Sequence, residues 1–537
     1  HKYSEIIIRE LANHYKNEES IVAWQIDNEF GHEGSDLCYC DLCKKEFNEY
    51  LKEKYDNDIN KLNETWGTIF WSQTYNTFEE IPLPKPTITT HNPSLRMEHE
   101  RFRSESIEKY AKFQVDLLKE ILGKDSVIIH DFSGGYFDKS YDFSKVGKHM
   151  DVVAYNNYPV WGGQKEPIPA WEIACGLDYM RGIKGQNFWI TEAIMGAQGH
   201  DVIGYLPRPR QAKMWSYQGI AHGCSSLMYF RYRGATKGAE QYCYGIIDQD
   251  NVKRRKFYEV QSFFKEMKDN EALTQSEVKS DVAVVYDYES MASFRIQRQS
   301  FLMDYKQEVY RLYRPFYKKN INMDVIPSDS DFDKYKVLLL PVMIVHKKEV
   351  QDKVRKFVSG GGTVVFTYRT AVKDYYNNLT LGQFNPTYYT DLVGGYVEEV
   401  ESFQDDQVAF LIGNEEFEGI NGTATVFRDM LKTTTAKTLF KYEDEFFEDL
   451  AAVTLNEYEG GKVYYIGSGA DNTIMDAITN KIINESNLDA IESEEGVEVV
   501  RRSLNNEDYY FVMNHTSDEK KFRNEILKAY EAKIVKA

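Results

Sequence analysis

No stretch of this chain approaches the roughly 20 consecutive apolar residues that span a bilayer. No run of lysine and arginine interrupts its acidic excess either, 84 acidic side chains standing against 65 basic ones. The first absence argues against a membrane partner, the second against nucleic acid. Tryptophan is scarce at seven residues, although 39 tyrosines and 30 phenylalanines bring the aromatic share to 14%. Such richness suits a sugar-binding surface as well as a packed core. A GxGxxG loop is missing: the Gly360–Gly362 run comes before a strand-like segment, so it is expected to form a tight turn and not a phosphate cradle. A flavin or nucleotide protein therefore lacks its signature, and no organic cofactor is expected. Cysteine is sparse, with three of six crowded at 38, 40 and 43. That spacing suits a metal better than a disulfide framework and favours a reducing, cytoplasmic compartment.

What is present is α/β patterning over a length that calls for several domains. In the first half, β-rich runs at 21–29, 126–132, 151–158, 187–193 and 225–233 alternate with helical stretches, the signature of parallel βα units. Between the first two lies a long excursion ending in a helix, marked by Ile107, Tyr110, Phe113, Leu117 and Ile121. Five such units do not close an eight-stranded barrel. Either the sheet is open or three further units precede His1, where the chain begins without a signal-like segment. From Asp281, apolar strands separated by helices at 304–319 and 348–359 predict a smaller doubly wound α/β domain. Alternation near the C-terminus predicts a small antiparallel domain. The expected boundaries are 1–278 for an incomplete (β/α) barrel, 279–488 for the flavodoxin-like α/β domain and 489–537 for the β domain.

Reactive residues of parallel barrels stand at the carboxyl ends of strands. Two of these ends finish in glutamate, Asn28-Glu29 and Thr191-Glu192. On the first strand, Val22, Trp24 and Ile26 should share one face and Gln25, Asp27 and Glu29 the other. Either glutamate alone could be a helix cap or a solvated group. Together they offer the carboxyl pair of glycoside hydrolysis, one to protonate the leaving oxygen and one to attack or to activate water. The cysteine cluster supplies three thiolates where tetrahedral zinc takes four ligands; Cys175, Cys224 and Cys243 lie in other units. The alternative is three free thiols on a loop.

The run WQIDNEFG followed by CYCDLC, FNEYLKEKY, LNETWGTIFWSQTY and EEIPLP resembles the β-galactosidases of glycoside hydrolase family 42. The likeness continues through YNNYP, WITEA, GIAHG, YFRYR and GAE into DVAVVYDYESMASF, covering nearly the whole chain. It implies a retaining exo-β-galactosidase on a TIM-type barrel, with Glu29 as acid/base and Glu192 as nucleophile. Asn28, Tyr158 and Glu240 would bind the galactose. Cys38, Cys40 and Cys43 would be zinc ligands, with the fourth ligand in a part of the barrel before His1. The α/β domain would be a trimerisation domain, and the intact protein a homotrimer. Two positions depart from the family pattern: His200 stands where a tryptophan is common and Cys243 where a histidine is common. Galactosides are the expected substrates. The rival readings are a shift toward α-L-arabinopyranosides or β-D-fucosides, and an inactive sugar-binding or scaffold protein.

Overall fold

The structure, a computed structural model, describes every residue except Glu445. Strands β1 (Trp24–Gln25), β2 (Ile128–Phe132), β3 (Val152–Asn157), β4 (Phe188–Ala193) and β5 (Cys224–Tyr229) lie side by side in chain order. Every neighbouring pair is parallel. Parallel neighbours need crossovers, and helices such as Pro93–Leu122, Ala170–Lys184 and Gln211–Ala221 supply them. The result is a five-stranded half-barrel with open edges.

Four of the expected strands overlap the observed ones, but the expected strand at 21–29 shortens to Trp24–Gln25. Asp27 and Glu29 adopt left-handed backbone angles, φ 52° and 44°, which ends the pleat. The anticipated apolar face is not formed: Ile26 is buried, whereas Val22 is 77% exposed.

Helix Pro93–Leu122 begins where sequence chemistry dictates. Asn92 accepts from the backbone N–H groups of Ser94 and Leu95, and Pro93 occupies the first turn. The helix has two packed faces. Ala111, Val115 and Leu118 are buried in the core shared with the sheet, while Tyr110 and Phe113 turn toward helix Lys2–Tyr15, with His1 stacked 4.9 Å from Phe113. Of the stripe read from the sequence, Ile107, Tyr110 and Ile121 pack against the core and Leu117 is buried, while Tyr110 and Phe113 also meet the N-terminal segment. Residues between β1 and this helix bury their own small core around Phe47, Leu51, Tyr55, Trp66 and Phe78.

The second domain is built on β6 (Val282–Tyr286), β7 (Met323–Pro327), β8 (Val337–Leu340) and β9 (Thr363–Thr367), with strand Gly461–Ile466 beyond β9. The spatial order is β7, β6, β8, β9 and then Gly461–Ile466, all parallel. Helix Lys348–Ser359 occupies the residues expected of it, and Gly361 takes φ 92° in the tight turn before β9. An addition that the α/β expectation did not contain extends this sheet: residues 395–458 form antiparallel strands, joined through Ala451–Tyr458 to Gly461–Ile466. Near the C-terminus, Val497–Leu504, Glu507–Asn514 and Ala532–Lys536 make a three-stranded antiparallel sheet. Among the described residues no helix is long and apolar enough to cross a membrane.

The half-barrel and the second sheet meet closely. A Cβ at Gly182, in helix Ala170–Lys184, would fall 1.9 Å from the carbonyl oxygen of Val325 in β7. Only glycine lets that helix lie against the strand's backbone.

Candidate active site

Polar side chains gather at the carboxyl ends of the half-barrel strands, on the edge where parallel sheets present chemistry. The segment that carries Glu29 is bound to β2. Ile26 N–H donates to Ile129 O and the His130 Nδ1–H to Ile26 O, both at 2.9 Å, while Phe30 N–H donates to His130 Nε2 at 3.2 Å. His130 must therefore be neutral with its proton on Nδ1. Burial agrees, holding its proton affinity down to about 4. Glu29 N–H donates to Asp131 Oδ1 at 3.2 Å.

Asn156, at the end of β3, connects this segment to β4. Its amide Nδ2 donates to Glu29 Oε1 at 2.9 Å and to Asp131 Oδ2 at 3.1 Å, while its Oδ1 accepts from Thr191 Oγ1 at 3.0 Å. Both neighbouring strands slip register here, between Tyr155 and Asn156 and between Ile190 and Ala193. Such bulges re-aim side chains. They allow the consecutive residues Thr191 and Glu192 both to serve the site.

Glu192 Oε2 accepts a 2.5 Å hydrogen bond from the Tyr158 hydroxyl. Burial raises the proton affinity of Glu192, the Tyr158 bond opposes that, and the charges of Glu29 and Glu240 add to it. The same burial, with the Glu192 carboxylate beside it, pushes the Tyr158 phenol upward. Asp131 is wholly buried and its carboxyl is pushed up to about 7, chiefly by desolvation.

Around Glu192 an aromatic and charged rim follows. Trp161 meets Tyr158 edge-on at 4.9 Å and His200 edge-on at 5.5 Å. His200 Nε2 stands 3.9 Å from Glu240 Oε1, and Arg231 pairs with Glu240 Oε2. Asn28 is exposed beside Glu29. Cys243 is buried, its Sγ 3.7 Å from the carbonyl oxygen of Gly199. It packs under the loop that carries His200 and does not face open solvent.

Among the residues expected at the site, Glu29, Glu192, Tyr158 and Glu240 thus fall within one hydrogen-bonded and electrostatically coupled group. Sequence reading missed His130, Asp131, Asn156, Trp161 and Arg231. The available signal was polar pairs closing otherwise apolar strands, His130-Asp131 and Asn156-Asn157.

The cysteine cluster lies apart, at the start of helix Asp41–Lys54. The sulfur atoms of Cys38, Cys40 and Cys43 lie within 4.8 Å of one another, a set that could hold a metal ion. Cys40 caps the helix, its Sγ accepting from Cys43 N–H at 3.5 Å. Cys175, Cys224 and Cys243 are buried free thiols, and no other ligand joins the cluster among the described residues.

Comparison with known proteins assigns nearly all of the chain in three segments. Residues 1–270 match the family description "Beta-galactosidase" of glycoside hydrolase family 42. Residues 280–489 match its "Beta-galactosidase trimerisation domain" and 496–536 its "Beta-galactosidase C-terminal domain". The β-galactosidase BgaA of Clostridium cellulovorans is 30% identical over 529 residues, covering 97% of this chain and 78% of that protein. The β-galactosidase LacZ of Heyndrickxia coagulans is 31% identical over 514 residues, 95% of this chain and 75% of that protein. Among solved structures, the β-galactosidase of Bacillus circulans sp. alkalophilus superposes with a TM-score of 0.93 at 28% identity, covering all of this chain and 82% of that one. That of Halorubrum lacusprofundi gives 0.91 at 26%, again over all of this chain and 82% of that one.

Proposed function

The chain belongs to the glycoside hydrolase family 42 β-galactosidases, and from that premise we propose how its residues cleave a β-galactoside. The substrate is a terminal, non-reducing β-D-galactosyl residue. Glu192 attacks the anomeric carbon as the aglycone oxygen departs with a proton from Glu29, leaving a galactosyl ester on Glu192. Glu29, now ionised, takes a proton from water, which hydrolyses the ester with net retention. The phenol of Tyr158 fixes one oxygen of Glu192 and leaves the other free to attack. Asn28, Tyr158 and Glu240 contact the sugar.

The observation that carries this reading is the chain of hydrogen bonds from Glu29 through Asn156 to Thr191, the neighbour of Glu192. It ties the two glutamates into one rigid edge of the sheet. Proton NMR of galactoside hydrolysis tests the mechanism: β-galactose must appear first and mutarotate afterward. First release of α-galactose would mean inversion and would remove Glu192 from the role of nucleophile.

The domains are read as 1–278, a half-barrel of the (β/α)8 TIM type, 279–488, a flavodoxin-like trimerisation domain, and 489–537, a β domain. The trimerisation-domain match supports a homotrimer. Cys38, Cys40 and Cys43 suit zinc, because three soft sulfur donors already converge. The ion would serve as a structural clamp on the loop before helix Asp41–Lys54 and takes no part in the reaction. The departure at His200, on the rim beside Glu240, supports a second reading, a glycone preference shifted toward α-L-arabinopyranosides or β-D-fucosides, whereas Cys243 is buried beneath that loop. A panel of nitrophenyl glycosides ranks the three sugars, and binding without cleavage of any would indicate a scaffold.

A further inference from the structure

The reaction above leaves one buried carboxyl without a task. Asp131 is fully enclosed on β2, between the segment that carries Glu29 and the strand that carries Asn156, where burying a charge is costly unless it is hydrogen-bonded. Both of its oxygens are engaged, and both engagements lead to Glu29. Oδ1 accepts the backbone N–H of Glu29, and Oδ2 accepts the Asn156 amide whose other N–H binds the Glu29 side chain.

We infer that Asp131 is a positioning residue that, through Asn156, holds both the backbone and the carboxyl of the acid/base Glu29 in the orientation needed for proton transfer. The inference rests on the reading of Glu29 as acid/base.

Two features of the geometry support it. First, Glu29 needs external restraint: its φ of 44° is an unfavourable backbone state for a residue with a side chain, and Asp27 two residues earlier shares that strain. Beyond the end of β1, side chains of His130 and Asp131 supply partners for the Ile26 carbonyl and for the N–H groups of Glu29 and Phe30. Second, Asn156 has no freedom to turn. Thr191 Oγ1 has a hydroxyl proton to give, and it gives it to Asn156 Oδ1. A flipped amide would present its oxygen to two carboxyls and its N–H groups to the hydroxyl. With two N–H donors and two carboxyl oxygens to receive them, the amide is fully committed. Asp131 is what keeps the second donor occupied, and so keeps the first aimed at Glu29.

Asp131→Asn preserves shape but breaks this arrangement. Its oxygen can still accept from Glu29 N–H, yet its new NH2 group then faces the NH2 group of Asn156. The consequence should be selective. Alkyl galactosides need a proton on the leaving oxygen, whereas dinitrophenyl galactoside leaves without one. We expect kcat/KM for an alkyl galactoside to fall roughly 10- to 100-fold, the size of loss that a small misplacement of a reacting group produces. For dinitrophenyl galactoside it should change by less than about 3-fold. Azide, which attacks the galactosyl ester without a general base, should accelerate turnover of the dinitrophenyl substrate and yield β-galactosyl azide, with Glu192 released as carboxylate.

Glu29→Ala run in parallel separates the two claims. If it shows this leaving-group and azide pattern and Asp131→Asn instead slows both substrates equally with no azide effect, Asp131 serves the fold alone and the inference fails while the reading of Glu29 stands. If Glu29→Ala lacks the pattern, Glu29 is not the acid/base and the inference falls with it. Asn156→Ala leaves Asp131 in place and carries the same test should Asp131→Asn fail to fold, as judged by its thermal transition.

Discussion

His222 Nε2 lies 2.8 Å from Glu498 Oε1, which joins a half-barrel helix end to the first strand of the C-terminal domain. The other ring nitrogen is 2.6 Å from Asp178 Oδ1. Two carboxylates can both accept from one imidazole only if both nitrogens carry protons, so this buried ring is an imidazolium. Around it, Arg181 pairs with Asp178 and with Asp324 of β7, Tyr313 donates to Asp178, and Gln218 and His515 bind Glu498. All three domains thus share one ionic junction.

That junction predicts a stability window in pH. Burial lowers the proton affinity of His222, but Asp178 and Glu498 outweigh it and hold the value at about 9, above the ordinary 6.5. A raised histidine contributes fully below its unfolded value and loses that contribution as pH climbs through 9. Glu498, held at about 2 despite its burial by His222 and His515, contributes above about 4.5 and loses it as pH falls through 2. Urea midpoints of the wild-type chain should therefore fall between pH 7 and 9. His222→Gln, which leaves two buried carboxylates short of a partner, should cost about 3–5 kcal/mol at pH 6 and flatten the decline above pH 7. Parallel curves for the two proteins would remove His222 as the cause.

Tyr158→Phe tests the hydrogen bond to the nucleophile. The Tyr158 hydroxyl lowers the proton affinity of Glu192, opposing the burial that raises it. Without it Glu192 holds its proton to higher pH, and the nucleophile must be ionised. The acidic limb of kcat/KM should move to higher pH, and the pH-independent rate should drop by about 10- to 1000-fold, the range for losing one donor to a reacting oxygen. An unmoved limb would separate Tyr158 from Glu192 in the free enzyme.

The difference between what the sequence disclosed and what it hid follows from the range of the interactions. Glu29 and Glu192 were legible because each closes a strand-like run, and strand ends are where parallel sheets put chemistry. Asp131 and Asn156 carry only a faint local signature, the polar pairs His130-Asp131 and Asn156-Asn157 in otherwise apolar strands, and their meaning depends on which strands become neighbours. The break after Gln25 was hidden for a related reason. Asp27 and Glu29 are not glycines, and the segment with their left-handed angles is held at Glu29 and Phe30 by Asp131 and His130, about 100 residues away in sequence. In the second domain the apolar parallel strands declared themselves. The antiparallel extension, with largely exposed, charged segments such as Gly395–Ser402, carries the weaker signal of an edge strand.

The cysteine cluster predicts metal in the purified protein. Emission spectrometry should find zinc co-purifying with the wild-type chain and lost from Cys43→Ser. A chelator should lower the thermal midpoint of the wild type and leave the variant unchanged, since a structural ion binds the folded state alone. Three thiols that titrate freely with a disulfide reagent in metal-free wild-type protein, without any chelator effect, would make them ordinary free cysteines.

Glu240 bears on which sugar is preferred. Arg231 occupies its Oε2, which leaves Oε1 to accept a sugar hydroxyl, with His200 Nε2 3.9 Å away and Trp161 edge-on to His200. A carboxylate so placed rewards a substrate that brings a hydroxyl and penalises one that leaves it unpaired. If that hydroxyl is the one on C6 of galactose, wild type should favour the galactoside over the fucoside and the arabinopyranoside, which lack it. Glu240→Ala should then shrink the preference by about 10-fold or more, mainly by slowing the galactoside. His200→Ala should act in the same direction and more weakly, because its ring reaches the hydroxyl only beside Glu240. An unchanged ratio of kcat/KM among the three sugars in Glu240→Ala would place this carboxylate outside the recognition of C6.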